Sequence, residues 1–261
     1  MHEGQHTSSE SGLPSGGPPA TRAQAGLQSD NLQAYLPGDR RRALAEGRVL
    51  PDRVRGAAIF VDISGFTTLT EALAIELGPQ RGAEELTAAL DVVFGALLTE
   101  LDRHSGDVIY FSGDAVTAWI DGDDGQVAVA CGFAMQQAMA QVGQRSTPSG
   151  REVRIGLKVA VAVGSARRFV VGDPDVQLID VLAGALMDQL ADAEHCARQG
   201  EVVVDAGAIA SLGDRVVLGA RRGEHDVAVV AELAPHVPLP PLRSPLPTLP
   251  VEVVRAWLLP R

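Results

Sequence analysis

A continuous apolar run, Gly56-Ala-Ala-Ile-Phe-Val-Asp62, ends on a carboxylate and has the pattern of a strand buried on both faces. A turn through Gly65 follows, and Thr67 stands four residues before Glu71, close to a capping arrangement. A helix is therefore predicted to about residue 77, where Gly78-Pro79 stops it. A longer helix is predicted over 82–104, because Leu86, Leu90, Val93, Leu97 and Leu101 step by three or four residues along one face. Residues 107–111 and 115–120 are short aromatic and β-branched runs joined by Ser112-Gly-Asp114, a hairpin with Asp114 at its tip. An amphipathic helix at 125–142 and a loop at 147–150 come next. Residues 152–164 and 167–172 read as a second strand pair, with a further strand at 176–182. A helix at 184–199, a strand at 201–204 and a short helix at 206–212 close the series.

This order is a βαββαβ arrangement with additions. It predicts an α+β fold of the ferredoxin-like group, an antiparallel sheet with helices packed on one face. Such a fold hosts many activities, so function has to be read from the site. Flanking the core at 54–215, residues 1–30 carry almost no large apolar side chain and are expected to be disordered. Residues 31–53 read as a helical lead-in, with a short helix around 32–35 broken at Pro37 and a polar Arg/Ala helix reaching Gly47. Residues 216–250 read as a strand-containing tail and a linker in which seven of the sixteen residues from Pro235 to Pro250 are proline. Residues 251–261 echo 32–40 and read as the start of a second lead-in.

The 261 residues, 46% hydrophobic and 21% charged, suffice for one packed domain with flanking segments. A net charge of −11, with no basic block longer than Arg40-Arg41-Arg42, argues against a nucleic-acid partner. Apolar stretches such as 159–163 and 127–131 fall far below the roughly 20 residues of a membrane span, and 1–30 lacks the pattern of a secretory signal. A soluble, cytoplasmic protein without membrane contact is the expectation. Cys131 and Cys196 are expected as free thiols rather than a disulfide. Lys158 is the sole lysine and Asn31 the sole asparagine, so a mechanism that needs another of either must import it.

Asp62 at a strand end and Asp114 at the tip of the neighbouring hairpin are candidates to converge at a sheet edge. Two carboxylates so placed repel one another unless a cation or proton lies between them, which makes a natural divalent-metal site. Hard oxygen donors without His or Cys favour Mg²⁺ or Mn²⁺. Backbone N–H groups of Ser64, Gly65, Phe66 and Thr67, where a Gly turn opens a helix, could hold phosphate oxygens, and metal plus helix terminus points to a nucleoside triphosphate. Taken singly, Asp62 also reads as a cap and Asp114 as a turn former. His104 reads as a helix C-terminal residue, Arg167-Arg168 as a solvated face, and 121–124 as a solvated acidic loop without the downstream Glu of a calcium site. Ile59-Phe-Val-Asp62 as the acceptor strand of a receiver domain is set aside, because Lys158 stands in the wrong context for it.

Three segments in order, Phe60-Val-Asp62-Ile-Ser-Gly-Phe-Thr67, Arg81-Gly-Ala-Glu-Glu-Leu-Thr87 and Gly106-Asp-Val-Ile-Tyr-Phe-Ser-Gly-Asp114-Ala-Val-Thr-Ala-Trp119, resemble the first catalytic domain of soluble, bicarbonate-responsive class III adenylyl cyclases. The likeness continues through Val153-Arg154-Ile-Gly156 and Gly200-Glu-Val-Val-Val204. It implies a head-to-tail pair of cyclase domains with composite sites that convert ATP to cyclic AMP and pyrophosphate. In that scheme Asp62 and Asp114 hold two Mg²⁺ or Mn²⁺ ions with the Ile63 carbonyl, while Ser64, Gly65, Phe66, Thr67 and Arg154 meet the substrate. The departures are as informative. Asp188 and Asp192 stand where the family carries its transition-state Asn and Arg, Tyr110 replaces the adenine-reading Lys, and Ala191 replaces the Arg linked to bicarbonate. The resemblance thus implies the metal-donating half of a site completed by a second cyclase domain. The alternative is an inactive regulatory homology domain that binds nucleotide or ligand.

Overall fold

The computed structural model describes residues 36–234 and 243–258, together with 33, 237, 240 and 241. The predicted disorder of 1–30 lies outside the described residues, as does most of the predicted helix at 32–35. In chain order the elements are α1 (Gly38–Ala45), β1 (Arg53–Ser64), α2 (Phe66–Leu77), α3 (Pro79–Arg103), β2 (Asp107–Ser112), β3 (Ala115–Asp121), α4 (Gln126–Val142), β4 (Gln144–Ser146) and β5 (Glu152–Arg154). There follow β6 (Gly156–Asp173), β7 (Gln177–Ala183), α5 (Ala185–Cys196), β8 (Val202–Val204), α6 (Ala206–Leu212), a 3₁₀ turn (Gly213–Arg215), β9 (Val216–Arg222), β10 (Val227–Leu233) and α7 (Val251–Arg255).

Strands β2, β3, β1 and β6 lie side by side in that order, each antiparallel to its neighbour, which is the ferredoxin-like core that the element order predicts. The sheet then continues through β8, parallel to β6, and on through β10 and β9. It therefore extends past residue 215.

Alternation along β1 divides the molecule into two layers. Ala57, Ile59, Val61 and Ile63 face a core shared with Leu69 and Leu73 of α2, Val93, Leu97 and Leu101 of α3, and Val129 and Met135 of α4. Ala58 faces the opposite core, with Trp119, Ala160, Leu186 and Leu190. The long helix thus buries the stripe that its spacing predicts, while α5 covers the other side of the sheet, so helices occupy both faces and not one. Each core carries several kcal/mol of burial per large side chain pair, at about 25 cal/mol per Å² of apolar surface.

The expected strand pair at 152–164 and 167–172 is not found. Glu152–Arg154 instead pairs with Gln144–Ser146 in a separate ribbon, and Gly156–Asp173 is one uninterrupted strand. Its first part pairs with β1 and its outer part with β7. Gly164 looks like a break in the sequence, but it serves packing: a Cβ there would lie 3.2 Å from the Leu186 methyl of α5. Both thiols are free, with Cys131 buried and Cys196 partly so.

Around the outer half of β6, α1 and the segment before α7 close on each other. Leu36, Leu249, Val254 and Trp257 form a third apolar cluster, the Arg40 guanidinium sits 5.8 Å from the Trp257 ring centre, and the Leu249 N–H donates to Gln33 Oε1 at 2.7 Å. Beneath them Asp180 accepts from Arg40 Nε at 2.8 Å and from Arg168 Nη2 at 3.0 Å, and Arg168 also pairs with Asp39. The reading of Arg167-Arg168 as a solvated face holds only for Arg167, which pairs with Asp52 at the surface. Arg168 is buried, because the lead-in brings Asp39 across it.

Candidate active site

β1 ends where the sheet meets α2, and the ladder fixes which residues share that corner. Asp62 lies opposite Ala115 of β3 on one side and Lys158 of β6 on the other. One residue before Ala115, Asp114 is at the turn, and its carbonyl accepts from the Ile63 N–H at 3.3 Å. Asp62, Ile63 and Asp114 are therefore neighbours at one end of the sheet, as their spacing implies. Gly113, with φ of 64°, makes the turn that carries Asp114.

The chain enters α2 through Gly65, whose φ is 101°. A side chain there is excluded twice over, since a Cβ would lie 2.6 Å from the Arg154 carbonyl oxygen. No side chain among the described residues caps this helix, so the first amides of α2 are left without a side-chain acceptor. Ser64 and Thr67 are exposed around the turn, and Ser64 Oγ donates to the Gly156 carbonyl at 3.4 Å. Phe66 is instead buried in the main core, which leaves only its backbone available. Arg154 touches the turn with its backbone, and its exposed guanidinium makes no ion pair or hydrogen bond among the described residues. With Gln136, Gln144, Gln199 and Gly200 it lines a cleft of about 640 Å³ beside the corner.

Lys158 is the residue that sequence reasoning missed here. Its Nζ lies 3.1 Å from Asp62 Oδ2 and 2.6 Å from Glu194 Oε1 of α5. Burial opposes its charge, but the hydrogen bonds to Glu194 and Asp62 outweigh it and hold the ammonium above the ordinary lysine value. Alternation does put Lys158 on a strand, yet the pairing of β1 with a strand some ninety residues away leaves no local signal.

Among the described residues no group of three or more His, Cys, Asp or Glu side chains gathers as a metal cage. The corner supplies two carboxylates, which suits Mg²⁺ or Mn²⁺: such ions are held by one or two carboxylates, with the remaining positions left to waters and phosphate oxygens. On α5, Asp188 is exposed and Asp192 pairs with His225 at 2.8 Å. Tyr110 and Phe111 stand half-exposed on β2. His104 closes α3 with its ring nitrogen 2.7 Å from the Glu100 carbonyl, and the acidic loop caps α4 through Asp123, which accepts from Val127 and Ala128 N–H groups.

No family model matches the chain. It is 28% identical to rabbit (Oryctolagus cuniculus) adenylate cyclase type 10 over 159 residues, 59% of this chain, and 27% identical to the human (Homo sapiens) protein of the same name over 158 residues. Among solved structures, the guanylyl cyclase Cya2 superposes with a TM-score of 0.58 at 25% identity, covering 72% of this chain and 97% of that one. The adenylyl cyclase CyaB from P. aeruginosa superposes with a TM-score of 0.60 at 19% identity, covering 71% and 97%. Over about seven tenths of its length the chain has the fold of class III adenylyl and guanylyl cyclase domains. Within that fold β1, the hairpin tip and the start of α2 form the corner described above. The chain spans about a tenth of the length of the curated relatives it matches. No helix among the described residues is long and apolar enough to cross a membrane.

Proposed function

We propose that this domain supplies the metal-binding half of a composite nucleotidyl cyclase site that converts ATP to cyclic AMP and pyrophosphate, completed by a second cyclase domain in a head-to-tail pair. The observation that carries the reading is the corner itself: Asp62 at the end of β1 and Asp114 at the turn before the adjacent β3, with an uncapped helix start reached through Gly65 after β1. The similarity to adenylate cyclases of type 10 supports ATP as the nucleotide.

Asp62, Asp114 and the Ile63 carbonyl would hold two Mg²⁺ or Mn²⁺ ions. When bound, divalent ions supply Lewis-acid activation of the ribose 3′-hydroxyl and neutralise the triphosphate. The N–H groups of Gly65, Phe66 and Thr67 meet phosphate oxygens along the helix axis, where the macrodipole favours negative charge. Ser64 offers a hydroxyl at the same turn, and the Arg154 guanidinium, unpaired among the described residues, is available to an anion in the adjoining cleft. Because Asp188 and Asp192 bring negative charge where developing phosphate charge needs a donor, a pair made of two copies of this chain lacks a group worth about 3 kcal/mol of transition-state stabilisation per donor.

The test is cyclic nucleotide production from ATP and from GTP with Mn²⁺, using the chain alone and mixed with a cyclase domain that carries the Asn and Arg. Turnover of ATP is expected in the mixture and not in the chain alone, and Asp62→Ala or Asp114→Ala lowers it by at least about a hundredfold. The carboxylates on α5 favour a second reading, a regulatory homology domain that binds nucleotide without turnover. Silence in the mixture, with Mn²⁺-nucleotide still bound, selects that reading.

A further inference from the structure

Lys158 stands against one of the two candidate metal carboxylates and is shared with a third carboxylate that the proposed chemistry does not use. Its position is fixed at both ends. The β1–β6 ladder sets Lys158 opposite Asp62, and Glu194 rides on α5, which is anchored by buried Leu186, Leu190 and Ala193. The Nζ lies closer to Glu194, at 2.6 Å, than to Asp62, at 3.1 Å. All three side chains keep between 20% and 29% of their surface exposed, so the ammonium can pass from one oxygen to the other without crossing a packed core. The basic complement of the chain is otherwise entirely arginine. A guanidinium is a rigid planar fork, whereas an ammonium on a flexible stem has rotatable donors and changes partners with little loss.

We propose that Lys158 is a tethered counter-cation of Asp62, which neutralises the candidate metal carboxylate while it is empty and withdraws to Glu194 when a divalent ion binds. This rests on the metal-binding reading of the corner given above. The device makes binding of a bare ion by the chain alone weak, because the arriving charge must displace the ammonium from its ligand oxygen. It favours an ion that arrives with a polyphosphate, whose negative charge offsets the lysine. Glu194 is in this account a positioning residue that acts through Lys158.

The experiment is a Mn²⁺ titration of the full chain without nucleotide, following the electron paramagnetic resonance signal of the free ion, with thermal unfolding of each variant to confirm folding. Lys158→Met is expected to tighten Mn²⁺ binding on the order of tenfold, by removing a unit charge a few ångströms from the ion. Lys158→Gln serves as a second neutral variant, and Lys158→Arg leaves binding at least as weak as in the parent. Glu194→Gln, which removes the alternative partner, weakens binding about threefold in the parent chain and has no effect in the Lys158→Met background. Unchanged Mn²⁺ affinity in both neutral variants, with binding lost in Asp62→Asn, would overturn the counter-cation while leaving the metal site standing. An equal loss from Glu194→Gln in both backgrounds overturns it as well, since Glu194 would then be a ligand. Mn²⁺ binding that survives Asp62→Asn and Asp114→Asn removes the metal reading, and this proposal with it.

Discussion

At Gly65 two independent constraints meet in one residue: a left-handed backbone and a carbonyl oxygen pressed against the place of a side chain. Gly65→Ala is expected to destabilise the domain by about 2 kcal/mol, read from chemical denaturation, and to lower nucleotide affinity further by tilting the start of α2. The turn was legible in the sequence because Gly, Asp and the onset of a helical pattern are local signals, and so were Asp62 and Asp114. The environment of Asp62 was not. Lys158 reaches it through strand register and Glu194 through the packing of a helix on the far face, and neither leaves a trace in the spacing of nearby residues. Arg168 escaped for the same reason, its partners Asp39 and Asp180 lying 129 and 12 residues away.

Among the elements, the error over β6 is instructive. Gly164 in a run of small residues suggested a break, yet the strand needs a small residue there only to admit α5, and a continuous ladder to β1 overrides the local signal. The lead-in and the segment around α7 close on each other over the outer half of β6. Asp180 is the pivot of that closure, so Asp180→Ala, which leaves Arg40 and Arg168 without their buried carboxylate, is expected to cost about 3 kcal/mol in thermal or denaturant unfolding. A milder clamp holds the loop between β4 and β5. Glu76 of α2 accepts from Thr147 Oγ1 at 2.7 Å and from the Ser149 N–H at 2.9 Å. The Ser149 and Thr147 hydroxyls and the Ser149 amide hold its carboxyl below the usual glutamate range. A depressed native value means that the clamp is complete above the unfolded value, near 4.3, and is lost as pH falls through the lower native one. Hydrogen exchange of the Ser149 amide, corrected for intrinsic rates, is expected to stay protected through mildly acidic pH and to rise below that range.

For the molecule as a whole, the proposed function makes the charge on α5 the feature that decides which assembly is productive. Asp188 and Asp192 are four residues apart on one helix, hence on one face. Asp188→Asn combined with Asp192→Arg is therefore expected to give the chain alone measurable cyclase activity, about a hundredfold above the unsubstituted chain in a Mn²⁺-ATP assay. No gain in a folded, nucleotide-binding double variant argues that the lost residues are not the only deficit. The contact between Leu36 and the Trp257 cluster carries a topological consequence. Residues more than two hundred positions apart meet edge to edge, so the described stretch is closed into a ring by its own side chains. The order in which its elements are strung matters less to the finished fold than that closure does. A chain opened at the turn between β9 and β10 and rejoined across the Leu36–Trp257 contact would enclose the same sheet.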